Sequence, residues 1–377
     1  MRYLKLSLLL SFIVFYQSCK QFDKTKRDII SNDSIKYAKN FSIQYFNDYK
    51  KIIIRPFSGP EERSLEFILA KDISKVPEGT DPDMIIKIPV KNIVVTSTTH
   101  IPMLELLNEE NSLKGFPNLK YISSASTRKL IEAGMIRELG NDENLNTETL
   151  LDLNPQVLVS IASDVPNPVL ENIAKAGIRI VPDADWLEQT PLGRAEWIRF
   201  FGALFDKDAL ADSIFIAIEK EYLKVRNIAK TAKEKPTILS GVMTKDIWYL
   251  PAGESYMAIF FKDAHTDYLW AETPGTGSLS LNFENVLETG QNAHYWISPG
   301  HYTSLEALQD ANRHYVKFDA FTSNRVYSFA TTTSPQGGVL FYELAPVQPQ
   351  IVLKDLVKTV HPELLPGYEP YFLKQLK

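Results

Sequence analysis

Three sets of residues in this 377-residue chain have types and spacings that could do chemistry. The first is histidine. His100 ends the run Thr96-Ser-Thr-Thr-His100 just past an apolar strand pattern, where open α/β sheets hold ligands beyond the carboxyl ends of their strands. His301 has the equivalent place after the strand pattern Tyr295–Ser298. With a carboxylate, the two could hold a bare zinc or manganese ion. The six histidines (100, 265, 294, 301, 314 and 361) nevertheless show no metal-ligand spacing. The second set is aromatic: Trp186, Trp248, Tyr249, Tyr268 and Trp270 fall in or beside expected loops. Rings at a loop edge can stack on a bulky ligand with little loss of entropy. With His100 and His301 they are the expected cleft contacts, and as a set they favour a large ligand over a simple ion. The third is a pair of glutamates. Glu148-Thr-Leu-Leu151 precedes the strand pattern Val157–Ile161, and Glu284-Asn-Val-Leu287 precedes Tyr295–Ser298. A carboxylate in a first helical turn is favourable on local grounds. Matching placement in two halves of the chain adds a shared surface role.

Catalytic chemistry has no comparable support. There is no GxGxxG after a strand, no GxxxxGK loop, no HExxH and no GxSxG. Ser126-Thr-Arg-Lys129 fits S-x-x-K, but its companion motifs are missing. The expectation is a binding protein, not an enzyme, with no resident cofactor.

These residues need elements to position them. From Lys91 on, strand patterns at Ile93–Thr96, Leu119–Ile122, Val157–Ile161 and Ile178–Val181 alternate with helical ones near Met103–Leu107, Thr127–Ala133, Thr147–Asp152 and Val169–Ala176. The alternation resumes with strands Thr237–Val242, Tyr295–Ser298 and Arg325–Phe329, and helices near Tyr256–Phe261, Phe283–Glu288, Leu305–Asp310 and Gln348–Val360. Such alternation gives parallel sheets covered by helices. Between the halves, Thr190 and Pro191 open a helix as N-cap and first helical residue. From Asp208 to Ala232 the residues Ala211, Ile214, Phe215, Ile218, Tyr222, Val225 and Ala229 form one apolar stripe at helical period. That helix would reach about 37 Å at 1.5 Å per residue, a strut between two α/β lobes. Ahead of Lys91, the runs Lys51–Arg55 and Ile85–Val90 predict a small antiparallel edge on the first lobe.

The net charge of -5 argues against nucleic acid as a partner, and the single cysteine excludes a disulfide framework. Arg2 and Lys5 precede an apolar run, Leu6 to Tyr16, too short to span a bilayer, and the run ends in Gln17-Ser18-Cys19. This looks like a bacterial lipoprotein signal, which implies cleavage before Cys19, lipid on its sulfur, and export to the periplasm or cell surface. The expected organisation is a signal segment 1–18, a polar tether 19–40, a β-rich extension 41–90, a first lobe 91–205, an interlobe helix 206–232 and a second lobe 233–377.

Several stretches resemble one known family: Pro191-Leu-Gly-Arg-Ala-Glu-Trp197, Asn146-Thr-Glu148 with Leu153-Asn-Pro155-Gln-Val-Leu, Phe283-Glu284-Asn-Val-Leu287, and Val352-Leu-Lys-Asp-Leu356 with His361-Pro-Glu-Leu364. Together, over roughly Val90 to Leu364, they resemble the periplasmic binding proteins of ABC importers for iron chelates and vitamin B12. PLGRAEW in particular is similar to a lipoprotein branch of that family. The resemblance implies a class III fold, two α/β lobes joined by a single long helix, closing only slightly on a ligand held between them. It implies a ferric siderophore, haem or cobalamin as ligand, a monomer, and a permease dimer as partner, with Glu148 and Glu284 docking into its arginine pockets. Positions that stack on the ligand in cobalamin-binding members are small or polar here, around Ser124–Ser126 and Asn141.

Overall fold

The computed structural model describes residues 31–32, 35–56, 64–141, 144–163, 165 and 167–377. Cys19 and the signal segment lie outside the described residues. The chain opens with a five-stranded sheet in sequence order, β1 (Ser31–Asn32), β2 (Phe41–Tyr45), β3 (Tyr49–Ile54), β4 (Leu65–Ala70) and β5 (Ile85–Lys87). Its pairs are antiparallel except β4 with β5. Alternation sends Phe41, Ile43, Ile52 and Ile54 to the buried face. The extension is thus a full sheet, larger than the edge expected from two apolar runs.

The first lobe holds β6 (Ile93–Val95), β7 (Leu113–Phe116), β8 (Arg137–Glu138), β9 (Val157–Ile161) and β10 (Ile180–Asp183) in the spatial order β10-β9-β6-β7-β8, all parallel. Its helices are α1 (His100–Leu106), α2 (Ala125–Glu132), α3 (Thr147–Leu153) and α4 (Pro168–Lys175). Ser124, Asn146 and Asn167 cap the last three by accepting backbone N–H bonds from their first turns. One expected strand is corrected. Leu119–Tyr121 is a 3-10 turn, and the strand is the preceding Leu113–Phe116, where Lys114 and Gly115 break the apolar run.

Three consecutive helices leave this lobe: α5 (Pro191–Glu196), α6 (Ile198–Leu204) and α7 (Asp208–Ala229). The stripe of α7 is buried at Ala211, Phe215, Ile218, Tyr222, Val225 and Ala229. Its first half packs on α6 so closely that a Cβ on Gly202 would lie 2.4 Å from that of Ala211. Arg199 of α6 also bonds Asp212 at 2.9 Å. Its second half meets the second lobe, where Tyr222 donates to Asp263 at 2.7 Å and Glu221 pairs with Lys354 at 2.7 Å. The stripe therefore serves both lobes in turn.

The second lobe adds β11 (Thr237–Ser240), β12 (Val242–Thr244), β13 (Ile247–Pro251), α8 (Tyr256–Asp263), β14 (Asp267–Tyr268), β15 (Ser278–Leu281), α9 (Phe283–Gly290), β16 (Tyr295–Ile297), α10 (Leu305–Ala311), α11 (Asp319–Thr322), β17 (Val326–Ser328), α12 (Leu340–Leu344), α13 (Pro349–Val360) and β18 (Lys374–Gln375). Its main sheet runs β14-β11-β16-β17-β18, parallel but for the last strand. The strands β12-β13-β15 form a small antiparallel sheet. Helix α13 packs along α7, and α12 meets α1 of the first lobe. The strut therefore runs beside a second interlobe contact.

Buried carboxylates strap the chain ends to this frame. Glu196 accepts the backbone N–H groups of Lys36, Tyr37 and Ala38 at 2.7–3.1 Å, and Glu188 those of Lys39 and Asn40 at 2.9–3.0 Å. Phe41 then packs on Trp197 with ring centroids 4.6 Å apart. Residues 36–40, expected as tether, are consequently fixed to α5 and the turn before it. Asp355 holds Tyr371, Phe372 and Leu373 in the same way.

Candidate functional site

The carboxyl ends of both parallel sheets open toward the junction between the lobes. There, a cavity of about 350 Å³ is lined by Thr96–Thr98 after β6, by Phe116, Pro117, Asn118, Tyr121 and Ser123 at and after the end of β7, and by Ile161 at the end of β9. Gly338, Val339, Tyr342 and Glu343, after β17, complete it from the other lobe. Asn118 takes a left-handed conformation with φ of 55°, which asparagine tolerates, and so turns the chain after β7 to present Tyr121. Tyr121 and Tyr342, one from each lobe, are 54% and 63% exposed. Large rings left this open beside a concavity are available to a ligand.

A second cavity of about 350 Å³ lies between Trp186, Glu188 and Arg194 of the first lobe and Pro251, Tyr256 and Gly277 of the second. Trp186 is 48% exposed and donates its indole N–H to the Ala162 carbonyl at 2.9 Å. Arg194 holds the same loop, donating to the carbonyls of Trp186 at 2.9 Å and Glu188 at 3.1 Å. Its guanidinium carbon lies 3.9 Å from the centroid of the Tyr256 ring, joining the lobes by a cation–π contact.

The lobes also touch directly. Glu343 is buried and accepts the backbone N–H groups of Ser123 at 2.7 Å and Ser124 at 3.1 Å. Gly338 comes so near that a Cβ there would fall 2.6 Å from the Ser123 hydroxyl oxygen, so a larger residue would have to displace that hydroxyl. Burial pushes the Glu343 carboxyl up, against the pull of its Ser123 bonds. Beneath the cleft, His100 Nε2 lies 3.2 Å from Asp183 Oδ2, both fully buried. Asp183 accepts the Asp185 backbone N–H at 2.7 Å. Burial, with the nearby Asp183 charge, pushes the Asp185 carboxyl up to about 7, and burial pushes the Tyr256 phenol up to about 12.

The expected contact residues divide sharply. Trp186 and the exposed Tyr249 stand on open surface, Trp186 in the cavity wall. His301 is exposed and stacks on Tyr302 at 4.7 Å. The structure places the others in the core, a correction to the sequence reading. His100 begins helix α1 rather than a loop, and its ring packs 5.5 Å from Phe201. Trp248 stacks on Trp296 and donates to the Ser240 carbonyl. Tyr268 donates to the Pro251 carbonyl at 2.5 Å, and Trp270 lies beside it. A buried His100 paired to Asp183 and an exposed His301 do not form one site. Among the described residues, no group of three His, Cys, Asp or Glu side chains is placed to hold a metal. Glu148 and Glu284 are both exposed in the first turns of α3 and α9, behind the matching caps Asn146 and Asn282. Tyr121, Tyr342, Glu343 and Arg194 were not singled out as cleft residues from the sequence. Pro117-Asn118 and Gly337-Gly338, each just ahead of one tyrosine, were the available signals.

A model described as periplasmic binding protein matches residues 93–331. An uncharacterized lipoprotein of Methanocaldococcus jannaschii is 27% identical, over 90% of this chain and 84% of its own length. Among solved structures, a periplasmic binding protein of Veillonella parvula superposes with a TM-score of 0.60 at 16% identity, covering 86% of this chain and 95% of that one. A possible iron-binding, periplasmic solute-binding protein of Staphylococcus epidermidis gives 0.58 at 16% identity, covering 72% and 99%. Among the described residues, no helix is long and apolar enough to cross a membrane.

Proposed function

This chain belongs to the periplasmic binding protein family, with the two lobes and long connecting helix of its class III members, and on that premise we propose that it captures a metal chelate between its lobes and delivers it to an ABC permease. The observation that carries the reading is the interlobe cavity, with one exposed tyrosine from each lobe and a floor of hydroxyl and amide groups. Rings grip a bulky ligand, and the small polar groups orient it. The iron-binding description of the Staphylococcus epidermidis structure supports a ferric chelate as cargo. Glu148 and Glu284 are the docking carboxylates, able to take arginine in bidentate pairs. Cys19 carries the lipid anchor, which the lipoprotein relative supports. Binding and docking, not bond making, are the mechanism.

Titration of purified protein with ferric chelates, followed by tryptophan and tyrosine fluorescence, tests the reading. Replacing Tyr121 and Tyr342 together by alanine should weaken binding by at least tenfold while thermal stability stays near that of the parent, because both rings are already exposed. Unchanged affinity would move the ligand elsewhere.

A further inference from the structure

Resting on the reading of this cleft as the site of chelate capture, we infer that it takes neutral or cationic chelates and discriminates against those with net negative charge. The described residues lining the tyrosine-bearing cavity include no lysine or arginine, and one of them is the carboxylate Glu343. The N-terminus of α2 could have supplied positive potential. It is already occupied: Glu343 takes the Ser123 and Ser124 N–H groups, and Glu105 accepts from the hydroxyls of Ser124, Ser126 and Thr127. The neighbouring cavity has one cation, Arg194, which lies outside the tyrosine-bearing cavity and is held by two carbonyls and the Tyr256 ring. The loop sequences agree. Residues 96–99 and 330–339 contain no basic residue.

Lys120 is the exception at the mouth. Its ammonium sits 4.9 Å from the centroid of the Tyr121 ring, exposed to solvent rather than lining the cavity. An anionic chelate entering here would give up water, find no lysine or arginine in the cavity wall and face Glu343, an arrangement that selects against it. A neutral chelate finds hydroxyls at Ser97, Thr98 and Ser123 and the Asn118 amide, which both donate and accept. A cationic one gains the face of Tyr342 as well.

The test is a titration panel on the intact protein: a neutral ferric trishydroxamate, one bearing a protonated amine, ferric citrate, and haem with its two propionates. The neutral and cationic trishydroxamates should bind at least tenfold tighter than the two anions. Their affinity should change less than threefold between 50 and 500 mM salt, and Lys120→Ala should leave it within threefold. Tighter binding of ferric citrate or haem would overturn the charge rule while leaving chelate capture standing, as would a tenfold loss on Lys120→Ala. If none of the four bound, chelate capture would fall and the charge rule with it.

Discussion

Asp185 shows how a single buried side chain links this fold to pH. It is buried under the cleft with Asp183 of β10 beside it, the His100 ring of α1 and the Arg194 guanidinium of α5 nearby, and a bond from Thr99. Burial first, then the Asp183 charge, lifts its folded pKa from the ordinary 3.8 to about 7. A carboxyl raised in this direction stabilises the fold in its protonated form. That contribution is complete below about pH 4 and disappears as pH climbs through 7. Asp185→Asn should flatten the decline in unfolding free energy between pH 4 and 7, by roughly 2–4 kcal/mol for a shift of that size. Urea unfolding at stepped pH reads it directly, and parallel curves for parent and variant would show that Asp185 is not the titrating group. Glu188, Glu196 and Glu343 are raised by burial in the same direction, so the variant removes only one share of the slope.

At the scale of elements, Glu196 explains why PLGRAEW matters. Its carboxylate takes three consecutive N–H groups of the incoming chain, and Arg199 pairs with it at 3.1 Å. Glu196→Ala would leave those donors unpaired and take from the buried Arg199 one of its two carboxylates, costing about 3 kcal/mol. It should also make residues 36–40 exchange amide hydrogens quickly; protection equal to the parent's would mean that the sheet alone holds them. The sequence disclosed the helices well, because caps such as Asn146 and Asn282 and an apolar period are local properties. It hid β7, whose Lys114 and Gly115 interrupt the run, and it misassigned Trp248, Tyr268 and Trp270. Nothing local distinguishes a loop-edge ring that caps a core from one that faces a ligand. That difference is set by tertiary packing, as is the meeting of Tyr121 with Tyr342 across more than two hundred residues.

For the whole molecule, the paired carboxylates make the sharpest demand. Glu148→Arg with Glu284→Arg should abolish stimulation of the permease ATPase in proteoliposomes while chelate affinity stays within twofold, since both residues are exposed and outside the cavity walls. Full stimulation by the double variant would end the docking assignment. The frame between those two points is stiff for identifiable reasons: the halves of α7 pack on different lobes, α13 runs beside it, and Glu343 bridges the gap. The strapped N-terminal segment gives this stiffness a mechanical meaning. With lipid on Cys19, the twelve steps to Ser31 reach at most about 40 Å, a short leash. Beyond Ser31 the chain is tied into the β-sheet and then moored by Glu196 on α5 and by Glu188 just ahead of it. A tug through such an anchor would therefore be borne by one lobe and the head of the strut, and the cleft would be spared the load.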